Sequence, residues 1–179
     1  MKPELEAAFC KEFPSIFRDH GGDMRVTCMA WGLAVNDGWA GLLRDICLFI
    51  DNGIRNAKSQ KIWDYKRKHN IDYSTDLSPA VLKRLKIDEM AVIADQVKEK
   101  YGQLCFYHHS TNLPEEWRHR IDGAIDMAEM RSLSVCEECG ERGELRGPGW
   151  LFTACEKHSR DTKTLKEYQA WEDALEKKP

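Results

Sequence analysis

Apolar residues recur at helical spacing along much of this chain, and where that rhythm fails, glycine, proline and cysteine take its place. Glu4 to His20 reads as a helix broken or kinked at Pro14 and ended by Gly21-Gly22. Met24 to Trp31 reads as a short strand. From the turn Asn36-Asp37-Gly38, residues Trp39, Leu42, Leu43, Ile46, Cys47 and Ile50 repeat at intervals of three and four, which predicts a core helix with Asn52-Gly53 as its stop. A helical fragment is expected around Ile62 to Lys68. Ser78-Pro79 opens a short helix that runs through Lys86. Asp88 can cap a further helix whose face is Met90, Ile93, Ala94, Val97 and Tyr101, closed by Gly102. Leu104 to Tyr107 reads as a buried strand. Pro114 opens a helix with Trp117, Ile121, Ala124, Ile125 and Ala128 on one side, and Leu165, Tyr168, Trp171 and Leu175 mark a last one.

After Ser134 the composition changes. Residues 136 to 149 hold two cysteines, four glycines and a proline, too little apolar matter for a core, so the segment needs a staple. Cys136-x2-Cys139, fifteen intervening residues and Cys155-x2-His158 supply one. A tight turn points two thiolates two residues apart the same way, and Gly140 can take the positive φ that such a turn wants. Cys155 and His158 can share the first turn of a helix. Four ligands with no vacant position make the closed Cys3His set of a structural zinc ion, one per chain. A knuckle, a hairpin and a helix start predict a treble clef, with a plain zinc ribbon as the alternative. Cys155-Glu156-Lys157-His158 with Lys163 also resembles the C-terminal half of an HNH-type nuclease. The hairpin from Gly140 to Gly149 holds no histidine to serve as general base, so that chemistry is set aside.

The expected fold is therefore α+β: a mostly helical body with a short sheet over residues 1–133, then a zinc module and C-terminal helix over 134–179. Length suits this, at 179 residues with 42% hydrophobic and 32% charged. No stretch approaches the ~18 apolar residues of a membrane span, and no apolar run follows the N-terminus, so a cytoplasmic protein is expected. The four cysteines outside the cluster are isolated, as in a reducing compartment.

Charge adds one feature. Residues 53–87 carry nine basic side chains against three acidic ones, a local +6 on a chain of net −3. Such an island is a contact surface for phosphate or an acidic partner, or simply a solvated helical face. Lys61, Lys66, Arg67 and Lys68 are its candidate contacts, with Trp63 and Tyr65 interleaved. Two glycine–tryptophan turns place Trp39 and Trp150 either on a stacking surface or in the seam between body and zinc module. Arg142 and Arg146 on the hairpin complete the candidate patch. Cys105 near His108 and His109 suggests a thiol–imidazole pair, but an apolar strand suppresses a thiol's reactivity.

Gly38-Trp39, then Gln96 to Gly102 with Leu104 and Phe106-Tyr107, then Cys136-x2-Cys139-Gly140, Gly149-Trp150 and Thr153-x-Cys155-x2-His158 together resemble a group of small bacteriophage and prophage proteins of uncharacterised function. The resemblance spans residues 36 to 158 and brings no catalytic residues. It implies an accessory phage protein working in a bacterial host, which acts by binding a host protein in host takeover or anti-defence. A nucleic-acid binder using residues 53–87 is the second expectation. A protein that holds or cleaves a small molecule such as a nucleotide is the third.

Overall fold

The computed structural model describes residues 1–176. Its elements run α1 (Pro3–Glu12), β1 (Leu33–Ala34), α2 (Ala40–Lys68), α3 (Pro79–Arg84), β2 (Ala91–Lys100), β3 (Gln103–Thr111), α4 (Glu115–Ser132), β4 (Glu144–Arg146), β5 (Phe152–Ala154) and α5 (Leu165–Glu176). Strands β1, β2 and β3 form one sheet in that order, with β1 parallel to β2 and β3 antiparallel to it. Strands β4 and β5 form a separate antiparallel hairpin. The class is α+β, with a cysteine–histidine cluster near the C-terminus.

Helices α2 and α4 pack on each other and against β2 and β3. The core between them joins Trp39, Leu43, Ile46, Cys47 and Ile50 to Val92, Ala94, Val97, Leu104, Phe106, Ile121 and Ile125. Burial pushes the Cys47 thiol far up, the inert state of a small core hydrophobe.

Several elements depart from the sequence expectation, each for a physical reason. Helix α2 does not stop at Asn52-Gly53 but runs unbroken to Lys68. A Cβ at Gly53 would meet the Ile121 side chain at 3.1 Å, so this glycine admits α4 instead of ending α2. The segment from Met90 to Tyr101 holds strand β2, not a helix. A bulge at Asp95 shifts the register between Ala94 and Gln96, and Ile93 is buried together with Val92, Ala94 and Val97, so the buried positions lose strict alternation and imitate helical spacing. Met24 to Trp31 forms turns and a 3-10 helix (Cys28–Trp31), not a strand. Asp23 takes the backbone N–H of Arg25 and the Thr27 hydroxyl takes that of Met29, which diverts the segment from a ladder. Helix α1 ends at Glu12, just before Pro14, and turns follow.

Helix α4 begins after Pro114 and buries Ile121 and Ile125, as its spacing predicts. The start of α5 is a capping box. Thr164 Oγ1 accepts from the Glu167 N–H at 3.2 Å, and the Glu167 carboxylate accepts from the Thr164 N–H at 2.7 Å. The Leu175 side chain lies outside the described residues. Among the described residues, no helix is long and apolar enough to cross a membrane.

Candidate metal centre

Cys136 and Cys139 stand on the turn that follows α4. Cys155 precedes a 3-10 turn (Glu156–His158) whose last residue is His158, so the second pair sits on 3-10 backbone, not on an α-helix. The four donor atoms all lie within 4.8 Å of one another, and they can hold a metal ion. Cys136 Sγ is 3.5 Å from His158 Nδ1, Cys155 Sγ is 3.3 Å from the same nitrogen, and Cys139 Sγ is 3.8 Å from Cys155 Sγ.

Backbone geometry shapes the first half-site. Gly140 adopts φ +79° and donates its N–H to the Cys136 carbonyl at 2.9 Å, closing the knuckle. Burial alone would push the Cys136 thiol up. The backbone N–H groups of Cys155, Cys139 and Glu138 aimed at the sulfur outweigh it and bring the thiol down to about 6. A thiolate is thus favoured where a metal needs one. Cys136 is fully buried, Cys139 is exposed, and Cys155 and His158 are half-buried. Beside them, burial first and the Glu99 charge second push the Glu137 carboxyl up to about 7, against the pull of Arg160.

The body seats this knuckle closely. The Gly38 N–H donates to the Glu137 carbonyl at 2.8 Å. A Cβ on Gly38 would stand 2.2 Å from the Cys136 carbonyl oxygen and 2.7 Å from the Cys139 nitrogen. Trp39, next in the chain, is fully buried, and its Nε1 donates to the Val135 carbonyl at 2.7 Å. Thr153 Oγ1 donates to the carbonyl of Gly102, in the turn between β2 and β3, at 2.6 Å. Gly38, Gly102 and Thr153 thus support the site without being ligands. Gly38 carries a sequence signal through the Gly-Trp dipeptide, whereas the contacts of Gly102 and Thr153 are set by the fold.

The surface candidates divide sharply. Of its two expected places, stacking surface or seam, Trp39 takes the seam and is no contact residue, since its ring meets no solvent. Arg146 is likewise corrected, being 4% exposed. Its guanidinium donates to the Ala154 carbonyl at 3.1 Å, the Thr162 carbonyl at 2.7 Å and the Glu156 carboxylate at 2.8 Å, clasping the hairpin to the loop after His158. Lys66 is buried too, with Nζ on the Tyr73 carbonyl at 2.8 Å, so it anchors the loop after α2. Arg142, Trp150, Arg67 and Lys68 are exposed and Lys61 is half-buried. Burial raises the Cys105 thiol, in keeping with its apolar strand.

No family model, curated protein or solved structure matches the chain.

Proposed function

We propose that Cys136, Cys139, Cys155 and His158 hold one structural zinc ion in a treble-clef-like module, and that the protein so stabilised acts by binding another protein. Zinc bonds of about 2.3 Å to sulfur and about 2.0 Å to nitrogen imply tetrahedral edges of about 3.8 Å between sulfurs and about 3.5 Å from sulfur to nitrogen. The separations of 3.8 Å and 3.5 Å lie on those values, and the Cys155–His158 separation of 3.3 Å falls just below them. Three thiolates and an imidazole favour zinc over harder cations. Four protein donors leave no position for a substrate, so the metal's contribution is folding free energy.

The observation that carries protein binding is a cleft of about 590 Å³ between α2 and α4, lined by Leu42, Ile46, Phe49 and Met127. Phe49 is 43% exposed, Met127 72% and Met130 71%. Apolar side chains left in water on adjacent helices mark interaction surfaces, and methionine adapts to varied partners. Arg131, Asp45 and Arg120, the last paired with Glu116 at 2.6 Å, edge the cleft, which suits the apolar face of an amphipathic helix with mixed charges on its flanks. The resemblance to phage proteins makes a bacterial host protein the partner assigned. The test is affinity capture from bacterial lysate with the zinc-loaded protein and with Met127→Asp. A partner retained by the first and lost by the second supports the reading, whereas equal capture by both refutes it.

A second reading, nucleic-acid binding, is favoured by one observation. The rings of Trp63 and Tyr73 stack at 4.5 Å with both residues half exposed, and Arg84 lies over the neighbouring Tyr65 ring at 5.5 Å. Stacked aromatics among cations suit single-stranded bases. Oligonucleotide quenching of Trp63 fluorescence that weakens steeply with added salt would support it.

A further inference from the structure

Helix α5 and the α2–α4 cleft are two uncovered apolar surfaces of one chain. Tyr168 and Trp171 lie three residues apart and share a face of α5. None of the described α5 side chains is buried, and Trp171 is 52% exposed. Glu167 stands one turn before Trp171 and Glu172 one turn after Tyr168, so carboxylates flank the aromatic stripe on both edges. The cleft offers the complementary surface. Its floor is apolar, and Arg120 and Arg131 stand along its α4 edge. Arg120 is held by Glu116, whereas Arg131 is exposed and makes no ion pair among the described residues. Asp45 sits on the opposite, α2 edge. The lengths also agree. The 12 residues of α5 span about 18 Å, and Arg120 to Arg131 on α4 span about 17 Å.

Within one chain the two surfaces stay apart, since none of the described α5 residues lines the cleft. The root of α5 is fastened to the metal module instead. Thr164 bridges Arg146 of β4, the Arg146 guanidinium donates to the Thr162 carbonyl at 2.7 Å, and the capping box ties Thr164 to the first turn of the helix. Leu165 lines a small cavity there with Leu133 and Leu145. Folding α5 back onto its own cleft breaks this clasp, whereas docking on a second copy leaves it whole.

We infer that α5 is an arm that docks in the α2–α4 cleft of a second copy of this chain, the two copies exchanging arms in a two-fold dimer. One arm and one cleft per chain are self-complementary, and closed two-fold pairs are the commonest assembly of such surfaces. Tyr168 and Trp171 enter as the anchors of a helix in a groove, and Glu172 meets Arg131 of the partner subunit. The inference shares its cleft with the binding reading but needs no host protein. A host helix that enters the cleft displaces the arm.

The experiment is sedimentation velocity of the zinc-loaded full chain over a concentration series, beside Trp171→Glu, Arg131→Glu, Glu172→Arg and the double charge reversal. The mass of the parent should rise with concentration toward twice its 20.7 kDa chain. Trp171→Glu should stay monomeric. Each single reversal should weaken dimerisation roughly tenfold, and the double reversal should recover most of that loss because opposite charges face each other again. All three positions are exposed, so far-UV spectra should overlay that of the parent. A parent that remains a single chain at every concentration, a dimer unmoved by Trp171→Glu, or single reversals that do not rescue each other overturns the assignment. A monomeric parent leaves the host-capture test as it stands, so the two readings fail separately.

Discussion

Gly38 touches the peptide of Glu137: its N–H donates to the Glu137 carbonyl at 2.8 Å, and its α-carbon faces the backbone between the two knuckle cysteines with no room for a methyl group. The metal module is thus seated on the start of α2 by backbone against backbone. Gly38→Ala is expected to cost about 3 kcal/mol or more, because the atoms in the way are main-chain atoms that cannot swing aside. Gly41→Ala, one helical turn on and with nothing near its Cβ, should be neutral or slightly stabilising. Chemical denaturation of the pair with metal bound decides it, and equal midpoints would refute the seating.

Chelation should act locally. Among the described residues, the module's buried apolar cluster is Cys136, Phe152 and Ala154, with Cys155 packed against it, distinct from the large core of the body. Removing zinc is expected to strip hydrogen-exchange protection from residues 135–158 while α2 and α4 keep theirs and far-UV helicity changes little. Protection lost equally throughout would mean one cooperative unit.

Arg146 should prove a stability residue. Its partner Glu156 is 91% exposed, so that ion pair is screened, and the bonds to the Ala154 and Thr162 carbonyls carry the effect. Arg146→Met is expected to cost about 2–3 kcal/mol by leaving the buried Ala154 carbonyl and the half-buried Thr162 carbonyl unpaired. Arg146→Lys should recover only part of it, since an ammonium does not reproduce the fork. Urea midpoints at fixed zinc concentration measure both.

His108 sets a pH dependence. Burial lowers its folded-state value, outweighing the pull of Asp122, and its Nδ1 is buried without a partner. The unfolded chain therefore takes up a proton near the ordinary histidine value while the folded chain declines it. The stability contribution is present above that value and falls away as pH drops through it toward the lower folded value. His108→Gln should flatten this part of the melting-temperature profile between about pH 7 and pH 5. A profile that overlays the parent's would exclude His108 as its source.

The sequence alone determined what depends on local chemistry. The four donors were legible because two x2 spacings around a glycine-rich hairpin serve little else, and α4 because Trp117, Ile121, Ile125 and Ala128 keep one unbroken period. Tertiary structure decided whatever depended on a neighbour. Gly53 looks like a stop until Ile121 packs over it, and Met90 to Val97 looks helical until the Asp95 bulge is seen against β3. Trp39, Lys66 and Arg146 have the composition of a contact surface, yet each points inward because a carbonyl from a distant or folded-back segment (Val135, Tyr73, Ala154) waits there. Spacing encodes which groups one short segment can present together. It does not encode which backbone oxygen from elsewhere in the chain arrives opposite them, and that pairing made Gly38 a seat.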